Sequence, residues 1–138
     1  MDSFGSTIKK SKIPLLNDSV SAGFPSPADD YTEENIDLNE HLISNPFSTF
    51  FLRVKGDSMI NAGIKDNDLV IVDKSLTARP GNIIIAMVDG EFTMKRLSIK
   101  NNELYLKAEN HNYPDFRFKN HIDVQIWGVV IYSIHSYL

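Results

Sequence analysis

The apolar residues of this chain follow two different patterns. Before residue 23 they are scattered (Phe4, Ile8, Ile13, Leu15, Leu16, Val20) among serines and lysines, and neither a helical nor an alternating period holds for long. That stretch predicts a flexible or loosely docked arm over residues 1–22. Gly23-Phe24-Pro25-Ser26-Pro27 follows as an extended hinge, because each proline biases its predecessor away from helix. Asp37-Leu38-Asn39-Glu40 has the form of a capping box and predicts a short helix, with Asn45-Pro46 ending it. From Thr49 onward the pattern is that of strands. Phe50 to Val54, Leu69 to Val72 and Ile83 to Val88 are rich in β-branched and aromatic residues, bounded by Gly56-Asp57, Asp66-Asn67-Asp68 and Arg79-Pro80-Gly81. Asp89-Gly90 predicts a two-residue hairpin between Val88 and Glu91, Asn101-Asn102 predicts another, and Val124 to Ile134 makes a last long strand. The expected fold is a mostly β domain of short strands with small helices.

Composition narrows the classes of function. At 138 residues the chain is about one domain long, enough for a core without covalent staples. Fourteen basic against 18 acidic residues leave a net charge of −4, with no strongly basic segment. Such a balance argues against sequence-specific duplex DNA binding, which normally shows a basic face. There are no cysteines, which removes disulfides, thiolate metal sites and a cysteine nucleophile, and fits a reducing, cytoplasmic setting. The apolar runs fall far short of the roughly 20 residues of a membrane helix, so no membrane partner is expected.

Candidate chemistry starts from one hydroxyl. Ser58, in Gly56-Asp57-Ser58-Met59-Ile60, sits where a strand ends and a helical turn can begin. A serine there often does no more than cap the turn. The same position also leaves the N–H groups of Ser58 and Met59 pointing outward, able to hold a developing oxyanion. A serine nucleophile needs a base. His41, His111, His121 and His135 are dispersed, with no metal-ligand spacing and nothing to bring one beside Ser58. Lys95 lies on a strand amid apolar neighbours; such a lysine either snorkels to the surface or, if buried, becomes neutral enough to act as a base.

Taken together, these segments form a series. Val54-Lys55-Gly56-Asp57-Ser58-Met59 is followed by Gly63-Ile64, Asp68 to Asp73, Gly81-Asn82-Ile83-Ile84-Ile85-Ala86, Val88 to Leu97, and finally Trp127-Gly128-Val129-Val130-Ile131. In order and spacing, with 37 residues from Ser58 to Lys95, the series resembles the self-cleaving Ser/Lys peptidase domains of the LexA and UmuD family. Ala22-Gly23-Phe24-Pro25-Ser26-Pro27-Ala28-Asp29-Asp30-Tyr31 resembles the cleavage segment of UmuD-type members. The likeness spans residues 22–132. Two positions depart from it: Asn67-Asp68 and Gly81-Asn82 stand where the family usually has Gly-Asp. Asparagine tolerates left-handed turn geometry, so the first change is mild.

The resemblance implies that Ser58 is the nucleophile, Lys95 the general base and Ala22-Gly23 the scissile bond, with the N–H groups of Ser58 and Met59 as the oxyanion hole. It implies no metal and no cofactor. An unperturbed lysine is neutral in only roughly one molecule in two thousand at pH 7, so a working Lys95 must be desolvated. The family's biology then implies that residues 1–22 are removed as an arm and that 23–138 form the peptidase and dimerisation domain. The trigger would be a RecA filament on single-stranded DNA, and the product a homodimer joining an UmuC-like error-prone polymerase in the SOS response. Ile126, Val129 and Ile131 are expected on the dimer surface. A repressor of the LexA type needs a helix-turn-helix, for which 22 residues without helical periodicity are too few. A non-cleaving assembly subunit of the same fold is the other alternative.

Overall fold

The computed structural model describes residues 13–25, 27, 33–121 and 123–138, and the chain divides into two compact units after Ser44. In the first unit, β1 (Ile13–Leu16) pairs antiparallel with β2 (Glu33–Ile36), and α1 (Leu38–Leu42) follows. The Asp37 carboxylate caps α1 by accepting the Asn39 N–H at 3.0 Å, as the capping pattern predicts. The helix ends at Leu42, before Asn45-Pro46, which instead opens a 3-10 turn at the start of the second unit.

Within the stretch expected to be a flexible or loosely docked arm, Ile13–Leu16 forms a short strand. Four residues, Ile-Pro-Leu-Leu, show no alternation, and strand pairing over so short a run is set by the partner rather than by the local pattern. Residues 1–12 of the expected arm lie outside the described residues, as do Ser26 and residues 28–31 of the hinge and cleavage segment.

The second unit holds seven antiparallel strands: β3 (Thr49–Arg53), β4 (Leu69–Asp73), β5 (Ile83–Val88), β6 (Glu91–Lys100), β7 (Glu103–Lys107), β8 (Phe116–Arg117) and β9 (Val124–Ile134). Their order across the sheet is β3-β4-β9-β5-β6-β7-β8. Both expected hairpins form. Asp89 and Gly90 have φ of 49° and 87°, and Asn101 and Asn102 have 53° and 61°, the positive values that a tight hairpin turn of matching twist requires. Asn67, one of the departures from the family pattern, takes φ 71°, a left-handed geometry that asparagine accepts. Strand β8 is too short to announce itself in sequence.

Alternate residues of β5 serve two separate cores, which is why its sequence is apolar without interruption. Ile85 joins Val54, Met59, Ile64, Val70 and Val72, while Ile84 and Ala86 join Leu97, Leu106 and Val129. The last strand, β9, lies between β4 and β5 and carries a register shift against each. Gly128 sits between these shifts, where an added Cβ would lie 2.6 Å from Val72 Cγ1, so only glycine lets the strands close. This placement corrects one expectation. Val129 is buried in the second core, because its side chain turns toward Ile84, Ala86, Leu97 and Leu106; Ile131 is half-buried against that core and Ile126 is exposed. Among the described residues no helix is long and apolar enough to cross a membrane.

Candidate active site

The turn after β3 carries Ser58. Gly56 turns the chain with φ 93°, and its N–H donates to the Asp66 carboxylate at 2.7 Å. Met59, 1% exposed, drives into the first core, and a 3-10 turn over Ile60–Ala62 follows, closed by left-handed Gly63. With Met59 anchored inward, Ser58 stays half-buried at the surface of the core. Among the described residues, the N–H groups of Ser58 and Met59 meet no acceptor.

Lys95 lies midway along β6, paired with Ile84 of β5, and is only 6% exposed. Its Nζ is 2.9 Å from Thr93 Oγ1, 3.1 Å from the Met94 carbonyl oxygen and 3.3 Å from Ser58 Oγ. No ion pair among the described residues includes Lys95. Burial without an opposite charge pushes its ammonium below the ordinary 10.5. The three oxygens suit either protonation state. An ammonium donates to all three. A neutral amine donates to Thr93 and Met94 and keeps its lone pair for the hydroxyl proton of Ser58.

A groove of about 270 Å³ opens over this pair, walled by Leu52, Val54, Val70, Ile85, Phe92 and Met94. Arg53, Lys55 and Thr93 complete the lining, so the groove is mixed in polarity and open to solvent on one side. Ala22-Gly23 lies in the connection between β1 and β2, exposed, with open space around Gly23. Of the histidines, His121 is bonded to Asp89 and His135 to Asp68, while His111 is exposed; no histidine is among the hydrogen-bond partners of Ser58 or Lys95. No group of three or more histidine, aspartate or glutamate side chains converges as a metal site among the described residues.

Glu109, Asn110 and Tyr113, after β7, grip the Ser58 turn, and strand and turn patterns do not single them out. The available signal was compositional: Asn110 and Asn112 flank His111 between a strand and Pro114, a turn-forming cluster directly after the strand that pairs with β6.

Comparison with known proteins identifies the family. The family model described as Peptidase S24-like matches residues 14–131. Protein SamA of Salmonella typhimurium strain LT2 is 46% identical over 92% of this chain and 88% of its own length. Protein ImpA of Escherichia coli is 44% identical over 88% and 83% respectively. LexA repressor 1 of Geobacter sulfurreducens is 42% identical over 81% of this chain but only 55% of the repressor. The chain belongs to the Peptidase S24-like family, the serine peptidases of the LexA and UmuD kind.

Proposed function

We propose that the chain is a self-cleaving peptidase in which Ser58 attacks the Ala22 carbonyl and Lys95 manages the proton. The observation that carries this reading is the approach of Lys95 Nζ to 3.3 Å from Ser58 Oγ in a buried setting where, among the described residues, Lys95 makes no ion pair. Neutral Lys95 takes the hydroxyl proton as Oγ bonds to the carbonyl carbon. The oxyanion so formed lies against the free N–H groups of Ser58 and Met59. Collapse of this intermediate breaks the Ala22–Gly23 bond, Lys95 returns its proton to the Gly23 nitrogen, and the ester between Ser58 and Ala22 remains. A water molecule, deprotonated by Lys95, then hydrolyses the ester and restores Ser58.

The same reading extends to biology. Residues 1–22 are the arm removed, and 23–138 remain as the peptidase and dimerisation domain. Docking on a RecA filament assembled on single-stranded DNA stimulates the cut in the cytoplasm. The shortened homodimer then joins an UmuC-like error-prone DNA polymerase for lesion bypass in the SOS response. High identity to SamA and ImpA over nearly their whole lengths favours this role over that of a repressor. The experiment is to incubate the purified chain with activated RecA filament and determine the new N-terminus. Gly23-Phe24-Pro25 is expected; an intact chain, or a terminus elsewhere, contradicts the proposal.

A further inference from the structure

The oxyanion hole proposed above consists of two peptide units, Asp57–Ser58 and Ser58–Met59. A trans peptide is a rigid plane whose C=O and N–H point in opposite directions. Whatever holds the carbonyl of each unit therefore aims its N–H. Both carbonyls are held by the loop after β7. The Asp57 carbonyl accepts Asn110 Nδ2 at 2.9 Å, and the Ser58 carbonyl accepts the Glu109 N–H at 2.8 Å. The Ile60 N–H also donates to the Asp57 carbonyl, at 3.1 Å, but it belongs to the same turn and cannot brace it against the rest of the fold.

The loop is itself fixed in a way that leaves Asn110 one orientation. Its Oδ1 accepts the Asn112 N–H at 3.0 Å, so its amide nitrogen must face Asp57. Tyr113 Oη donates to the Asp57 carboxylate at 2.6 Å, a second tie to the same residue. The Asn61 N–H donates to the Glu109 carbonyl at 2.9 Å, closing the far end of the turn. The Glu109 carboxylate accepts Arg96 Nε at 2.5 Å, and Arg96 directly follows Lys95 in β6. The contacts thus form a closed circuit: Ser58 to Lys95 through the side chains, Lys95 to Arg96 along β6, Arg96 to Glu109, and Glu109 back to the Ser58 carbonyl.

We infer that Asn110 and Glu109 are positioning residues that aim the N–H groups of Ser58 and Met59 at the developing oxyanion by holding the carbonyls behind them. This inference rests on the peptidase reading, and its signature differs from that of a group acting on the base. A misaimed oxyanion hole lowers the rate at every pH and leaves the lysine's ionisation alone. Asn110→Ala deletes the amide that holds the Asp57 carbonyl. Asn110→Ser deletes it too but keeps a hydroxyl oxygen for the Asn112 N–H, so the loop retains its turn if alanine does not.

The experiment measures first-order self-cleavage of the full chain from pH 7 to 10, without filament, by intact mass, for wild type, both Asn110 variants and Ser58→Ala. Each folded Asn110 variant should lose at least about tenfold from the plateau rate, since loss of an oxyanion-hole donor costs about 100-fold or more. The pH midpoint should stay where wild type has it. A plateau within about twofold of wild type overturns the inference, and so does a fall accompanied by a shifted midpoint, which would place the effect on Lys95. A wild type that does not cut between Ala22 and Gly23, or a Ser58→Ala that does, sinks the peptidase reading instead.

Discussion

Asp73, at the end of β4, is 1% exposed and carries a charge in the interior. Its carboxylate accepts Asn45 Nδ2 at 2.9 Å, Ser48 Oγ at 2.8 Å, and both the N–H and Oγ of Ser75 at 2.8 and 2.7 Å. Led by the Asn45 amide, these donors outweigh the cost of burial and bring the carboxyl from 3.8 down to about 2. Such a shift corresponds to about 2 kcal/mol of stability. The folded-state value is the lower one, so this stability is present above pH 4 and is lost as pH falls from about 4 through 2. Asp73→Asn preserves shape but sets an amide N–H₂ among donors, and should cost about 2 kcal/mol at neutral pH. The assay is urea unfolding from pH 2 to 7, followed by fluorescence of Trp127, the single tryptophan. At neutral pH the variant's midpoint should lie about 1 M urea lower. Below pH 4 the two proteins should converge, since other carboxyls are common to both. Parallel curves over the whole range would refute the assignment of this stability to the Asp73 charge.

Three further outcomes follow from the geometry. Gly128→Ala forces a Cβ to within 2.6 Å of Val72 Cγ1 and 3.2 Å of the Asp73 carbonyl oxygen; it should cost about 1–3 kcal/mol in urea unfolding, and an unchanged midpoint contradicts the close approach. Thr93→Val removes an oxygen that accepts from the Lys95 ammonium at 2.9 Å. A bond to the charged form is worth more than one to the neutral amine, so the midpoint of the alkaline rise in self-cleavage should move down; an upward shift or none contradicts the role given to Thr93. Sedimentation at micromolar concentration should give twice the chain mass, and replacing exposed Ile126 by Glu should weaken that dimer while leaving the fold intact by circular dichroism. A monomer at all concentrations, or a dimer indifferent to Ile126→Glu, opposes the dimer surface drawn here.

Much of the sheet was legible in the sequence because its strands announce themselves twice, by β-branched apolar runs and by the turns that bound them. Asp89-Gly90 and Asn101-Asn102 are residue pairs that accept positive φ, so the hairpins followed from backbone sterics alone. What escaped notice depends on partners distant in sequence. Ile13–Leu16 is a strand only because Glu33–Ile36 lies beside it, and Phe116–Arg117 only because Tyr105 and Leu106 do. Val129 was expected at a surface because β9 runs nearly to the chain end. Its side chain takes the face that meets Ile84, Ala86, Leu97 and Leu106, whereas Ile126 of the same strand is exposed, and an unbroken apolar run does not show which face is covered. At the site, Ser58 and Lys95 stood out by resemblance, whereas Asn110 and Glu109 act through a turn more than 50 residues away. Hydrogen bonds of that span leave no periodic trace in the sequence.

That a neutral Lys95 takes the proton of Ser58 is tested most directly by the pH dependence of self-cleavage in wild type and Lys95→Arg, without filament and where circular dichroism shows the fold intact. Burial pushes the lysine below its ordinary 10.5, so the fraction neutral grows as pH rises from neutrality. The wild-type rate should climb with pH and level off past the lysine's apparent pKa. Lys95→Arg keeps a side chain of similar length but stays protonated throughout, and should not cut at any of these pH values. A histidine base would instead give a rate that is already flat above pH 7. A wild-type rate unchanged from pH 7 to 10, or cleavage by Lys95→Arg that tracks wild type, would contradict the assignment of Lys95 as the base.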